Sequence, residues 1–210
     1  MPLQRPASCD FLLVLLLCVI FLAHKLAIAA SPLTPTSSSS ANLTLSALLA
    51  LKASITSDPT GFLSSWNAST HFCSWQSIIC SNSSQQVECL LLQSKQLVGT
   101  LTPQLADLQG LSYLDVSNNS LHGLIPARVG ELAATLTHLD LNSNKFSGSI
   151  PSSLARCTLL KYLGLNNNVL TGNFPAYITN FTQFSCLHNQ FHPIVVPGFV
   201  NQCNNRGFAH

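Results

Sequence analysis

Two aspartates, Asp115 and Asp140, are the residues of this 210-residue chain whose types and spacing come nearest to an acid–base pair. They sit 25 residues apart in matching segments, YLDVSNN and HLDLNSN. On adjacent strands their carboxylates would lie roughly 4.8 Å apart, close enough for general acid–base work. Both, however, occupy the same place in a repeated pattern, so they read as a feature of the repeat. Cys186, His188 and His192 form a second cluster with metal-ligand chemistry. Cys186 falls on an inward position and no fourth ligand is evident, whereas zinc demands a fuller set. Cys157, within LARCTLL, reads as a small buried residue. Cys89, beside Leu90 on the outward side, could pair, though its partner cannot be named. No nucleophile–base arrangement or phosphate-cradling glycine loop is found. No enzyme activity, cofactor or metal is expected.

The elements that would carry these residues recur. Segments with one pattern begin at Leu90, Leu114, Leu139 and Leu163, in steps of 24, 25 and 24 residues, the extra residue lying near Ala133 and Ala134. Self-similarity at this period marks a stacked solenoid. Within each copy an LxL step has the two-residue period of a strand. Leu90/Leu92, Leu114/Val116, Leu139/Leu141 and Leu163/Leu165 therefore point inward, and Asp115, Asp140 and Gly164 outward. Asn119, Asn144 and Asn168 stand where the chain turns away from the sheet, and Asn189 where a shortened fifth copy does. An amide carries donors and acceptors, so such a column can satisfy neighbouring turns. The first copy has Lys95 there instead. Glycines 123, 148 and 172 precede Pro126, Pro151 and Pro175, a pairing that favours short extended or 3₁₀ segments over full helices.

These LxLxxNxLxGxIP copies resemble the plant-type leucine-rich repeats of receptor-like kinase and receptor-like protein ectodomains. The resemblance implies an α/β solenoid, a short right-handed stack with a parallel sheet on its concave face. Ahead of the repeats, Thr44 to Thr56 carry a helical stripe of Leu45, Leu48, Leu49, Leu51 and Ile55, closed by Asp58–Pro59. Trp66, Cys73, Trp75 and Cys80 match the W…CxWxGVxC motif of the family's N-terminal cap. That match implies a Cys73–Cys80 disulfide, worth about 2.5 kcal/mol in the chain-entropy model. Ser77 stands where the family usually has glycine, so a strained or shifted turn is expected.

Residues 1–30 read as a secretion signal: Arg5, a 13-residue apolar run FLLVLLLCVIFLA, then Ala27-Ile28-Ala29. The run falls short of the ~20 residues that span a bilayer, and retention as an anchor is the lesser reading. The expected divisions are a linker at 31–41, the cap at 42–86, repeats at 87–191 and an irregular tail at 192–210. Sequons at Asn42, Asn67, Asn82, Asn118 and Asn180 agree with an extracellular, glycosylated chain. After Asn180 the frame shortens and no closing cap, kinase or second span is recognisable. That favours the front portion of a longer receptor product over a complete small secreted protein.

Only 8% of residues are charged, with 9 Lys and Arg against 7 Asp and Glu, so nucleic acid is not an expected partner. Five strands make a concave ribbon of roughly 350 Å², below the ~800 Å² per partner of a stable interface. A peptide or a weak protein contact fits that area. The candidate contacts are Tyr113, Asp115, Ser117, His138, Asp140, Asn142, Lys161, Tyr162 and Asn166. The resemblance implies an extracellular receptor- or co-receptor-like module that binds a protein or peptide, such as a larger repeat receptor kinase. The alternative is a secreted inhibitor of cell-wall-degrading enzymes, similar to the polygalacturonase inhibitors.

Overall fold

The computed structural model describes residues 37–191. The expected signal, most of the linker and the tail, with His192, lie outside them. Two six-stranded sheets share one core. The first, the LxL sheet, runs in the order β11-β9-β7-β5-β3-β2, and the second β1-β4-β6-β8-β10-β12. In the LxL sheet these are Gln183–Ser185 (β11), Tyr162–Gly164 (β9), His138–Asp140 (β7), Tyr113–Asp115 (β5), Val87–Leu91 (β3) and Ile78–Cys80 (β2). In the second sheet they are Ile55–Ser57 (β1), Val98–Thr100 (β4), Ser120–Leu124 (β6), Lys145–Gly148 (β8), Val169–Gly172 (β10) and Gln190–Phe191 (β12). From β3 to β11 the LxL strands pair in parallel, Leu90 opposite Leu114, Leu114 opposite Leu139 and Leu139 opposite Leu163. The inward leucines are all buried, each contributing about 1.5–3 kcal/mol relative to exposure.

The return leg of each coil is a 3₁₀ turn. Pro103–Asp107 opens on a proline inside its first turn, while Ala127–Leu132, Ser152–Arg156 and Ala176–Asn180 each follow a proline with extended backbone. Proline fixes φ and lacks the donor that the first turn would leave unpaired anyway. The additional residue near Ala133 is taken up in the six-residue turn Ala127–Leu132.

The asparagines tie one coil to the next. Asn144 Oδ1 accepts from the Leu121 amide, and its Nδ2 donates to the carbonyls of Val116, Leu141 and Asn142. Asn168 does the same between Phe146 and the carbonyls of Leu141, Leu165 and Asn166. Asn189 joins Leu170 to Leu165, Cys186 and Leu187. Asn119 accepts from the amides of Lys95 and Leu97. With Lys95 in the first coil's place, its ammonium lies 4.5 Å from the centre of the Phe62 ring.

The cap differs from the sequence expectation. Helix α1 spans Ser37–Ser54, so residues 37–41 are helical rather than linker, and it ends before Asp58–Pro59. The β-branched Ile55 and Thr56 leave it as β1, antiparallel to β4. The approach is close enough that a Cβ on Gly99 would meet the Ser54 carbonyl at 2.3 Å. β2 pairs antiparallel with β3. Two short strands, not the helix, therefore cover the leading edges; α1 packs beside Pro103–Asp107. Below it Trp66 and Trp75 stack at 5.5 Å, and Cys73 is bonded to Cys80.

Candidate functional site

The face of the LxL sheet turned away from the core carries three cross-strand rows. One runs Cys89, Tyr113, His138, Tyr162, Gln183, and the next Leu91, Asp115, Asp140, Gly164, Ser185. Just past the strands, Ser117, Asn142, Asn166 and Leu187 make the third. Register thus brings the candidate residues onto one face, with Lys161 exposed just ahead of β9.

The rows are not equally accessible. Tyr113, Asp115 and His138 are 1%, 3% and 6% exposed, and Tyr162 is 9% exposed. They are not the solvent-facing anchors the sequence suggests. The rings instead stack on one another, Tyr113 on His138 at 3.9 Å with planes 5° apart, and His138 on Tyr162 at 4.4 Å. Stacked faces are turned to their neighbours, leaving only edges for a ligand. Ser117, Asp140, Asn142 and Asn166 are half-buried.

Asp115 and Asp140 are register partners, but each is engaged locally. Asp115 Oδ1 accepts from the Ser117 amide and hydroxyl at 3.0 and 2.7 Å. Asp140 Oδ1 accepts from the Asn142 amide at 3.0 Å. They act as turn braces at the strand ends.

Gly164 ends the carboxylate row. A Cβ there would lie 2.5 Å from both Asn142 Nδ2 and Asp140 Oδ1 and 2.9 Å from Tyr162 Oη. Its bare backbone lets Tyr162 lean across β9 and accept from Asn142 Nδ2 at 3.0 Å. Asn142 Oδ1 in turn accepts from the Asn166 amide at 2.6 Å and the Ser185 hydroxyl at 3.3 Å. Burial, then the neighbouring Asp140 charge, holds the Tyr162 phenol above its ordinary pKa.

The shortened fifth coil belongs to this face. Gln183, Phe184 and Ser185 pair in register with Tyr162, Leu163 and Gly164. Beyond them Leu187 is 47% exposed and the His188 ring bonds Asn167 Oδ1 at 2.6 Å. Gln183, Ser185 and Leu187 are not among the contacts expected from sequence, although the match of FSCLHNQF to LDLNSNKF places them on this face. His188, read from sequence as a metal-type residue, serves instead as a hydrogen-bond partner of Asn167. Cys186 is buried as expected, yet disulfide-bonded rather than a free core thiol. Cys89 is also disulfide-bonded. Cys157 is free and fully buried, and desolvation raises its thiol pKa. Away from this face, Arg128 bridges Asp107 and Glu131 at the surface, where such pairs contribute little. Among the described residues, no helix is long and apolar enough to cross a membrane.

Residues 44–81 match the leucine rich repeat N-terminal domain model, and 110–132 and 135–157 the leucine rich repeat model. The chain is 41% identical over 88 residues to Protein MALE DISCOVERER 1 of Arabidopsis thaliana, covering 41% of this chain and 12% of that protein. It superposes on the BIR2 ectodomain of Arabidopsis thaliana with a TM-score of 0.65 at 32% identity, covering 70% of this chain and 81% of that one. The Arabidopsis thaliana BIR3–SERK2 complex gives 0.63 at 28% identity, covering 75% and 97%. With this capping domain, this repeat and this shared fold, the chain belongs to the plant leucine-rich repeat family of receptor-like kinase and receptor-like protein ectodomains.

Proposed function

We propose that the chain is an extracellular recognition module that binds a protein or peptide through the outward face of its LxL sheet, as a receptor- or co-receptor-like ectodomain does. One observation carries this reading. Register lines up amide, hydroxyl and carboxylate side chains (Asp140, Asn142, Asn166 and Ser185) across three consecutive strand ends on one face. Buried stacking and side-chain hydrogen bonds hold them, so little conformational entropy remains to be lost on binding. The BIR3 neighbour, solved in a complex with SERK2, supports a protein as the partner class. The modest ribbon area favours a weak or composite contact.

The test is interferometry of the secreted, purified chain against plant leucine-rich repeat ectodomains, BIR3 and SERK2 among them, and against secreted plant peptides. Saturable binding that Asn142→Ala and Asn166→Ala weaken is expected. Inhibition of a fungal pectinase at micromolar chain, with no ectodomain or peptide bound, would replace this reading with the inhibitor.

A further inference from the structure

We infer that the recognition face is confined to its C-terminal half, and that a glycan on Asn118 marks the boundary. The inference rests on the proposed recognition role and adds where on the face the partner sits and what chemistry it presents.

Three observations converge. The first is a rim column. Ser94, Asn118, Ser143, Asn167 and His188 occupy the same place in successive coils, each with φ between 54° and 60°. That left-handed conformation turns their side chains out at the edge of the face, and Asn118, Asn167 and His188 are exposed. The second is where the sequons fall. Four of the five, Asn42, Asn67, Asn82 and Asn118, are exposed and lie in the cap or the first coils. The fifth, Asn180, ends the 3₁₀ turn Ala176–Asn180 of the return leg and is not on an LxL strand. Asn118 is itself a member of the rim column, so a glycan there stands over the coils of β3 and β5. From Asn119 to Asn168 the sequence has no sequon.

The third observation is the chemistry of what stays bare. The column continues as a hydrogen-bonded ribbon in which Asn167 Nδ2 donates to Ser143 Oγ at 3.3 Å and the His188 ring bonds Asn167. Behind it lies the Asn142–Tyr162–Ser185 network that Gly164 admits. Gly164 thus stops the carboxylate row at Asp140, and the ribbon carries neither carboxylate nor ammonium, the exposed Lys161 standing at the opposite end of β9. The exposed Leu187 sits among these amides and hydroxyls. The partner is a protein surface of the same character: uncharged, with hydroxyl and amide groups for the ribbon and an apolar residue for Leu187. A strongly basic or acidic surface would leave its charges desolvated without counter-charges.

One substitution tests this. Val169→Thr turns Asn167–Asn168–Val169 into a sequon on the ribbon, and threonine suits the strand position. The variant and Val169→Ala are secreted from plant cells and their glycosylated asparagines mapped by mass spectrometry. Binding to immobilised BIR3 and SERK2 ectodomains is then measured. Asn118 is expected to carry glycan. The Asn167 glycan is expected to weaken binding by about tenfold or more, its enzymatic removal to restore it, and Val169→Ala to stay within about twofold of the native chain. Should Asn167 escape glycosylation, Ser143→Asn with Lys145→Thr copies the native Asn118 sequon one coil later. A bare Asn118, or binding untouched by a ribbon glycan, overturns the boundary while leaving the recognition role intact. Failure of the native chain to bind any of the plant ectodomains or secreted peptides removes both.

Discussion

Ser77 holds a φ of 64° at the tip of the cap, just ahead of β2. A left-handed backbone costs an L side chain about 1–2 kcal/mol, partly offset by the greater freedom glycine loses on folding. Ser77→Gly is therefore expected to stabilise the chain by about 1 kcal/mol, read as a higher urea midpoint at unchanged slope. A lower midpoint would mean that the hydroxyl compensates the strain. Asn144 works in the opposite sense. Truncation to alanine orphans the buried Leu121 amide, a loss of about 1–3 kcal/mol, while the Val116, Leu141 and Asn142 carbonyls keep donors from Asn119, Asn168 and Asn118. Asn167→Ala, one coil on but on the exposed rim, should stay within about 0.5 kcal/mol. Equal losses at the two positions would deny the ladder its structural role.

Among elements, the 3₁₀ turns carry a pH dependence of their own. Tyr177, in Ala176–Asn180, donates its phenol to the Pro151 carbonyl at 2.6 Å, tying that turn to the one before it. Burial pushes the phenol up to about 12 from its ordinary 10. The folded state thus holds the proton more tightly than the unfolded chain. The contribution is complete below pH ~10 and is lost as pH rises through about 12. Melting temperature should fall across that alkaline window. Tyr177→Phe should lower stability by about 1 kcal/mol at neutral pH and flatten the alkaline decline. A decline of unchanged steepness would assign it to other groups, Tyr162 among them.

At the scale of the whole molecule, the repeat was legible because a strand's two-residue period and a coil's near-constant length are local properties of the chain. Leu114, Val116 and Asn144 announce their roles without reference to anything distant. What the sequence concealed depends on neighbours from other coils. Tyr113 and His138 look like free surface aromatics until register stacks one ring on the other. Gly164 looks like a gap until Tyr162 and Asn142 meet across it. Ile55–Ser57 continues a helical stripe, yet Gly99 on β4 draws it into a strand. The same neighbour-only logic governs unfolding. Each coil touches only the coils beside it, so stability is a chain of local terms with interface terms between them. Ile178, fully buried in the last 3₁₀ turn, and Leu139, in the middle of the LxL sheet, make the comparison. Truncating either to alanine removes about 2–5 kcal/mol. Native-state hydrogen exchange should separate them. Ile178→Ala should release β10, β11 and β12 while β3 and β5 keep their protection, whereas Leu139→Ala should lower protection on both sides of β7. Uniform loss of protection from Ile178→Ala would mean that the stack unfolds as one unit.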